Sequence, residues 1–587
     1  MVRDAEEPEL SGRYVRVAQL ADLQGAECVV VHVKEHTLAM FSRGGQIYAV
    51  DNRCPHMGFP LNRGTVKEGI LTCHWHHARF DLASGGTFDQ WADDVPVFPV
   101  QIRNGEVWVD LSPRGDAGTH LRQRLRDGLE RNIPLVIAKA VIRLADTVAD
   151  PIEPFRIGLD FGARYRQTGW GQGQTILTCI MNLLPYLDAE DRPRALYHGL
   201  SAVARDCAGM PPRFGIHPLP ALPSDFERLK HWFRRFVEVR DAEGAERCIV
   251  SAVRAGADHR QMAEMLFAAA TDHRYIQTGH VADFTNKALE ALDRAGWEYA
   301  EPVLASLVSS YAQADRMEES NAWRYPVDLV AVLERSFEQL PAALESGRRL
   351  RGSYRGRDAL VRVLLGEEPE SIADGLLASL QDGSTEEELA GTVAYAAALR
   401  IARFHTSNEF GDWDRALHTF TFANAIHQGL RRVPLLELLR GVFDAAMSVY
   451  LDRFLNIPAA RLPEPQKDMG NPERPLESLT ALLDRQQQVN EVGEAVARYL
   501  FSNSEPARLL AVLGRLLLRE DRDFHTIQTV EAAYRQYEYL RGMQAGTHVL
   551  VAAGRYLAAH SPTVREQGQT YQIAYRLHRG ERLFEES

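Results

Sequence analysis

Two cysteines and two histidines near the start of the sequence have the types and spacing of metal ligands. Cys54 and His56 form a Cys-x-His pair, and Cys73 and His76 form a Cys-x-x-His pair further along. One thiolate and one imidazole from each of two loops suit a two-iron cluster with the thiolates on one iron and the imidazoles on the other. The alternative is zinc, which a Cys₂His₂ set also suits. Zinc fingers usually pair Cys with Cys and His with His, so the pattern favours the two-iron cluster.

The residues around these ligands resemble the Rieske family of [2Fe–2S] proteins from about Tyr14 to Leu111. The resemblance implies that Cys54 and Cys73 take one iron and that His56 and His76 take the other. The flanking residues that carry it are Gly58, Trp75, Phe80-Asp81 and the turn Ser84-Gly85-Gly86.

Two positions depart from the family pattern. His74 stands where the family commonly has Pro, and His77 stands where it commonly has Gly. The loops contain no further cysteines, so the disulfide of respiratory-chain Rieske proteins cannot form. The domain therefore resembles the soluble, ferredoxin-type branch of the family.

The elements that must position these ligands change character near residue 112. Before it, short β-rich runs alternate with turn signals such as Asn104-Gly105, a favoured hairpin turn. We expect a small antiparallel all-β Rieske domain over residues 1–112 and a linker over 113–120. Residues 121–587 show helical spacing almost to the end, which predicts a large all-α domain.

The helical region contains a weak internal repeat. Each copy consists of a helix, a short polar break, a second helix and a histidine, as in Ala245–His273, Ala373–His405 and Gly493–His525. Paired helices that recur in this way predict repeated helical hairpins in a stacked or solenoid-like array.

The helical region could use the electron that a Rieske cluster supplies. The best-known catalytic fusion partner is an α/β domain with histidines four or five residues apart, but no histidine pair after residue 110 has that spacing. The chain is therefore not an ordinary ring-hydroxylating oxygenase subunit. Histidines at equivalent repeat ends could still converge on a mononuclear non-heme iron. The candidates for this second site are His198, His273, His280, His405, His418, His525 and Lys287.

Each of these candidates also has an ordinary structural interpretation. A single histidine is more often a core or helix-end residue bonded to backbone, and a lysine is more often a snorkelling surface residue. The helical region is also faintly similar to questin-oxidase-like proteins, which are helical oxygenases. This similarity rests on His198 in Leu196-Tyr-His-Gly and on His418 in Leu417-His-Thr-Phe-Thr, and it raises the expectation of an oxygenase.

Composition excludes several partners. The net charge of −12 argues against nucleic acid, which favours a basic face. The longest apolar stretches, such as Ile176–Leu184, are too short to span a membrane, and the acidic N-terminus shows no secretory signal. We therefore expect a cytoplasmic protein. Because no nicotinamide or flavin motif is apparent, an external reductase must feed the cluster.

The leading hypothesis is an iron-dependent oxidoreductase, an oxygenase that acts on a small organic substrate, for example an aromatic one. The alternative is a Rieske electron carrier whose helical domain is a protein-docking scaffold without its own metal. A third option is a redox sensor in which the state of the cluster changes partner binding. The sequence is also compatible with a homo-oligomer that exchanges electrons between subunits, because a short linker limits how far the cluster can swing.

Overall fold

The chain divides into two units. The computed structural model describes residues 2–4, 10–11, 13–112, 117–147, 152–221, 225–465, 471, 473–502, 504–581 and 583. The first unit comprises Met1–Pro154 and Gln569–Ser587, and the second comprises Phe155–Gly568. Of the predicted linker 113–120, residues 113–116 lie outside the described residues, and residues 117–120 form the first turn of a helix.

In its described residues, the β domain has twelve short strands and one short α-helix. They are β1 (Val2–Asp4), β2 (Leu10–Ser11), β3 (Tyr14–Gln19), α1 (Leu20–Gln24), β4 (Cys28–Val33), β5 (His36–Arg43), β6 (Gln46–Asp51), β7 (Thr65–Lys67), β8 (Ile70–Thr72), β9 (Arg79–Asp81), β10 (Val97–Phe98), β11 (Val100–Arg103) and β12 (Glu106–Asp110). Three sheets form, with strand orders β1-β4-β5-β6-β10, β11-β12-β3-β2 and β7-β8-β9. The described pairs are antiparallel except β1 with β4. The predicted small antiparallel β domain is confirmed.

Strand β5 lies between two apolar cores, because successive side chains of a strand point to opposite faces. Leu38 and Met40 pack into one core. Phe41 packs into the other, which also contains Cys54 and Cys73. The two cysteines are therefore anchored in the core of the domain, and the loops that carry them start from a rigid base.

Two helices after the β domain belong to the same unit. They are α2 (Ala117–Glu130) and α3 (Pro134–Thr147). Arg124 of α2 donates to Asp93 at 2.8 Å, and Lys139 of α3 donates to two backbone carbonyls of the first cysteine loop. These bonds tie both helices to the β domain, so the first unit extends past the composition change near residue 112.

The second unit contains helices and no strand among its described residues. The remaining helices of the chain are α4 (Ile152–Tyr165), α5 (Gln172–Leu183), α6 (Arg192–Cys207), α7 (Phe226–Glu238), α8 (Ala242–Arg254), α9 (His259–Ala270), α10 (His280–Ala295), α11 (Ala300–Gln313), α12 (Asn321–Arg324), α13 (Leu329–Gly347), α14 (Arg357–Leu364), α15 (Pro369–Gln381), α16 (Glu386–Ala402), α17 (Phe410–Arg432), α18 (Leu436–Leu451), α19 (Glu473–Leu483), α20 (Val489–Phe501), α21 (Pro506–Leu518), α22 (Phe524–Tyr539), α23 (Gln544–Ala559) and α24 (Glu566–His578). None of the described helices combines the length and the apolar character that a membrane span requires.

The predicted helical hairpins correspond to consecutive helix pairs, namely α8 with α9, α15 with α16, and α20 with α21. Helices far apart in the sequence also pack together, because α5 contacts α22 and α17 contacts both α10 and α22. In a solenoid each repeat contacts only its neighbours. The helical unit instead encloses a shared core, in which α10, α17 and α22 are brought together from distant parts of the chain.

Candidate metal centres

The two cysteine-containing loops have matching backbone hydrogen bonds. The first loop follows β6, and the second joins β8 to β9. In each loop, the backbone N–H of the cysteine, Cys54 or Cys73, donates to the carbonyl of the residue five positions later. The carbonyl of the same cysteine accepts from the N–H of the residue four positions later. These bonds are 2.8 to 3.0 Å long. Each cysteine thus begins a tight loop that closes on itself.

The fourth residue after each cysteine has a left-handed backbone. Gly58 has φ +82° and His77 has φ +64°. Glycine adopts this conformation without steric cost, whereas a side chain there costs roughly 1–2 kcal/mol. The equivalence of the two positions gives a physical reason why glycine is the common residue in the family where this chain has His77.

The four predicted cluster ligands lie in these loops. Cys54 and Cys73 are buried, and their side chains hydrogen-bond each other. The rings of His56 and His76 are 4.9 Å apart and nearly perpendicular. The Nδ1 atom of His56 is buried without a hydrogen-bond partner among the described residues. A buried nitrogen of this kind needs a partner, and a metal at this position would provide one. The residues therefore fit a [2Fe–2S] cluster.

The surroundings of these side chains favour the protonation states in which they bind metals. A hydrogen bond from Cys54 lowers the pKa of Cys73 to about 6. Burial lowers the pKa of His56 to about 4 and also lowers the pKa of His76. Metals bind thiolates and neutral imidazoles, so at neutral pH both imidazoles and at least one thiol are prepared for ligation.

Aromatic rings and one glycine turn support the loops. The ring of Trp91 lies 4.6 Å from that of His56, and Trp75 lies 4.4 Å from His76. Gly85 has φ +77°, and a Cβ there would be 2.0 Å from the carbonyl oxygen of Val95. The Ser84-Gly85-Gly86 turn therefore requires glycine at its centre.

Three histidines from three helices meet in the helical unit. His280 is the first residue of α10, His418 lies inside α17 and His525 is the second residue of α22. One potential ligand atom from each lies within 4.8 Å of the other two. The ring centroids of His280 and His418 are 4.7 Å apart, as are those of His418 and His525. All three side chains are partly exposed, so a small ligand can reach them. We call this group the histidine triad.

Hydrogen bonds prepare two of these rings as metal ligands. The Nδ1 of His418 donates to the backbone carbonyl of Asp414 at 2.6 Å, which leaves the lone pair on Nε2. His280 hydrogen-bonds the backbone of Gln277, and its Nε2 is buried without a partner among the described residues. Burial lowers the pKa of His280 to about 3 and also lowers the pKa of His418. Neutral imidazoles suit zinc, copper, iron and nickel.

The segment before His280 has a strained backbone. Tyr275, Gln277 and Thr278 have φ values of 41°, 51° and 50°, in the left-handed region that non-glycine residues rarely occupy. Gly279 follows at φ +90°, and a Cβ there would be 2.7 Å from Cβ of Phe422. Such strain persists only where the surrounding structure enforces it, and it is concentrated at functional sites. Here it determines where α10 begins and where His280 lies.

Two phenylalanines pack against the triad. The ring of Phe284 lies 5.4 Å from that of His280, and Phe524 lies 5.9 Å from it. Phe524, unlike the histidine that follows it, is not singled out by any of the sequence patterns described above. It could have been found only by placing α22 beside α10, because no local pattern relates the two residues.

The structure places three other candidate histidines outside the triad. His198 is buried in α6. The Nδ1 of His273 donates to Oε1 of Glu318 at 2.7 Å. His405 lies 2.8 Å from the hydroxyl of Ser407. His273 and His405 thus bond protein side chains, whereas the Nε2 of His198 is buried without a hydrogen-bond partner among the described residues.

Lys287 is fully buried between two carboxylates. Its Nζ lies 3.0 Å from Glu290 and 2.6 Å from Glu531. Asn182 donates to both of these carboxylates, at 2.7 and 2.9 Å. The amine is thus used in an ion pair beneath the triad, on the same two helices that carry His280 and His525.

Comparisons with known proteins concern the first part of the chain. The family model for the Rieske [2Fe-2S] domain matches residues 13–99. The chain is 29% identical over 101 residues to the ferredoxin component of the naphthalene 1,2-dioxygenase system of Pseudomonas putida. This match covers 17% of this chain and 97% of that protein. It is 28% identical over 94 residues to the 3-phenylpropionate/cinnamic acid dioxygenase ferredoxin subunit of Escherichia coli. This match covers 16% of this chain and 88% of that protein.

One solved structure that the chain resembles is the Sphingomonas yanoikuyae B1 ferredoxin. It is 28% identical, covers 16% of this chain and 97% of that chain, and has a TM-score of 0.16. The match to the family model shows that residues 13–99 form a Rieske domain, which implies a [2Fe–2S] cluster and a role in electron transfer.

Proposed function

We propose that this protein is a redox enzyme with two metal centres. A Rieske cluster held by Cys54, His56, Cys73 and His76 delivers electrons to a mononuclear non-heme iron held by the histidine triad. The reaction is the oxygenation of a small organic substrate of apolar, aromatic character. An external reductase supplies the electrons, because the sequence contains no recognisable nicotinamide or flavin motif.

The observation that carries this proposal is the convergence of the triad. His280, His418 and His525 come from three helices that are distant in the sequence, yet their ligand atoms lie within 4.8 Å of one another. A buried imidazole nitrogen usually has a polar partner. The buried and unpartnered Nε2 of His280 has none among the described residues, and a shared metal ion would satisfy it.

The residues of the chain bind, orient and shield the second centre. The carbonyl of Asp414 holds the ring of His418 in one tautomer, as second-shell acceptors do for metal-bound histidines. Phe284 and Phe524 pack on His280 and exclude water from one side. When bound, the cluster would supply single electrons, and the iron would supply the chemistry that activates oxygen.

Iron analysis of the full chain tests this proposal. We expect about three irons and about two acid-labile sulfides per chain. His418→Ala should lower the iron to about two and leave the EPR signal of the reduced cluster unchanged. His405→Ala is the matched control, because this histidine bonds Ser407 and should keep all the iron. Full iron in His418→Ala would contradict the assignment.

A second candidate function is favoured by the comparisons. The relatives named above are ferredoxin components of dioxygenase systems, so this chain could be an electron carrier whose helical unit docks a partner enzyme. In that case iron would be found only in the cluster. The purified chain would turn over no substrate, even with a reductase present.

A further inference from the structure

A lysine outside the Rieske domain holds the first cluster loop. The Nζ of Lys139, on α3, lies 2.6 Å from the carbonyl oxygen of Pro55 and 2.6 Å from that of His56. His56 is one of the proposed cluster ligands. The family match ends at residue 99, so Lys139 is an addition of this chain to the Rieske domain.

The ammonium group is largely buried and lies near the carboxylate of Asp93. The Lys139 side chain is 12% exposed, and its Nζ lies 3.9 Å from Asp93. Asp93 also accepts from Arg124 at 2.8 Å. Charges that are shielded from water interact more strongly than exposed charges, so Lys139 and Asp93 act on the loop with little screening.

Arg124 extends this arrangement to the ring that covers the ligand. It donates to the backbone carbonyls of Gln90 and Ala92 at 3.2 and 3.1 Å. These residues flank Trp91, whose ring packs on His56. Helices α2 and α3 thus hold both the loop that carries His56 and the aromatic residue beside it.

We infer that Lys139 is a positioning residue that fixes the first cluster loop and raises the reduction potential of the cluster. This inference rests on the proposed cluster ligands and does not involve the histidine triad. One-electron reduction adds a negative charge to the cluster. A fixed positive charge beside His56 stabilises the reduced state, and the nearby negative charge of Asp93 opposes it. Lys139 and Asp93 should therefore change the potential in opposite directions.

Redox titration of the cluster in the full chain, followed by its visible absorption and EPR, tests the inference. Lys139→Met should shift the equilibrium toward the oxidised cluster by about tenfold, which corresponds to about 59 mV toward negative potential for one electron. Lys139→Arg keeps the charge and should stay close to the wild type. Lys34→Met removes an exposed lysine of the same unit and is the control for net charge.

Asp93→Asn tests the same idea without removing the lysine. It keeps a hydrogen-bond acceptor for Arg124, and it should raise the potential because Lys139 is no longer balanced. If Lys139→Met does not assemble the cluster, this variant decides the question. An unchanged or lowered potential in Asp93→Asn would overturn the inference, as would equal shifts in Lys139→Met and Lys139→Arg. Because iron content is measured separately, these results are distinguishable from failure of the proposed triad iron.

Discussion

The β domain and the helical unit build their candidate metal centres from different elements. In the β domain, two loops with matching hydrogen bonds each present a cysteine and a histidine a few residues apart. In the helical unit, α10, α17 and α22 each contribute a single histidine. The first centre is held by local backbone geometry, whereas the second depends on the packing of distant helices.

This difference determines which changes should damage each centre. A loop site fails when a ligand or a left-handed backbone position is altered, and the remainder of the fold need not change. A site between helices fails when the helices shift, even if every ligand remains in place. The two centres should therefore be separable by mutation.

The largest expected effect is the loss of one centre without the other. Cys73→Ser should abolish the [2Fe–2S] cluster, because serine cannot supply the thiolate that the iron requires. Acid-labile sulfide should fall to background, while the triad iron remains. Cys28→Ser, at a half-buried cysteine outside both centres, is the control. Loss of the triad iron in Cys73→Ser would show that the centres are not independent.

The next effect concerns the packing beneath the triad. Lys287→Met should destabilise the protein by about 3 kcal/mol, the lower end of the range for a broken buried ion pair, because it removes the buried cation between Glu290 and Glu531. Arg535, at 3.6 and 3.2 Å from these two carboxylates, keeps part of the compensation. Denaturant unfolding measures this loss. Lys67→Met, at an exposed site of the β domain, should change stability by no more than about 0.5 kcal/mol. A similarly small change in Lys287→Met would contradict the role of the ion pair.

The sequence alone was sufficient for the Rieske domain and insufficient for the triad. The cluster loops and strands such as β4 (Cys28–Val33) follow local patterns that sequence reasoning detects. The strands β7 to β9, which carry the second loop, have three residues each. They are too short to show the alternation of apolar and polar residues that predicts a strand. The spacing of the helical repeats predicts that His273, His405 and His525 occupy equivalent positions. The structure brings only His525 into the triad, because helix packing, and not repeat position, decides which side chains meet.

A third prediction separates helix position from ligand identity. Gly279→Ala should lower the affinity of the triad for iron by about 10- to 100-fold, the usual range for residues that support ligands. The added Cβ would lie against Phe422 at a left-handed position and would displace His280. The EPR signal of the cluster should not change.

Gly411→Ala is the matched control for this prediction. Gly411 lies in the first turn of α17, and a Cβ there would have no atom within 4 Å. The metal affinity should therefore equal that of the wild type. If Gly279→Ala also kept full affinity, the strained segment would not position His280.

The smallest expected effect compares the two left-handed loop positions. Gly58→Ala should destabilise the domain by about 1 kcal/mol, because alanine disfavours this backbone. His77→Gly should be neutral or stabilising by up to about 1 kcal/mol, because the relief of strain is partly offset by the greater flexibility of glycine in the unfolded chain. Thermal unfolding measures both. A stabilising effect of Gly58→Ala or a destabilising effect of His77→Gly would contradict the equivalence of the two loops.

The central claim is that electrons leave the cluster through the histidine triad. The most direct test mixes anaerobically reduced full chain with oxygenated buffer and follows reoxidation of the cluster by its visible absorption in a stopped-flow instrument. We predict that His418→Ala slows reoxidation by about tenfold or more, which is an increase of at least about 1.4 kcal/mol in the barrier, while His405→Ala matches the wild type. Equal reoxidation rates in all three proteins would contradict it.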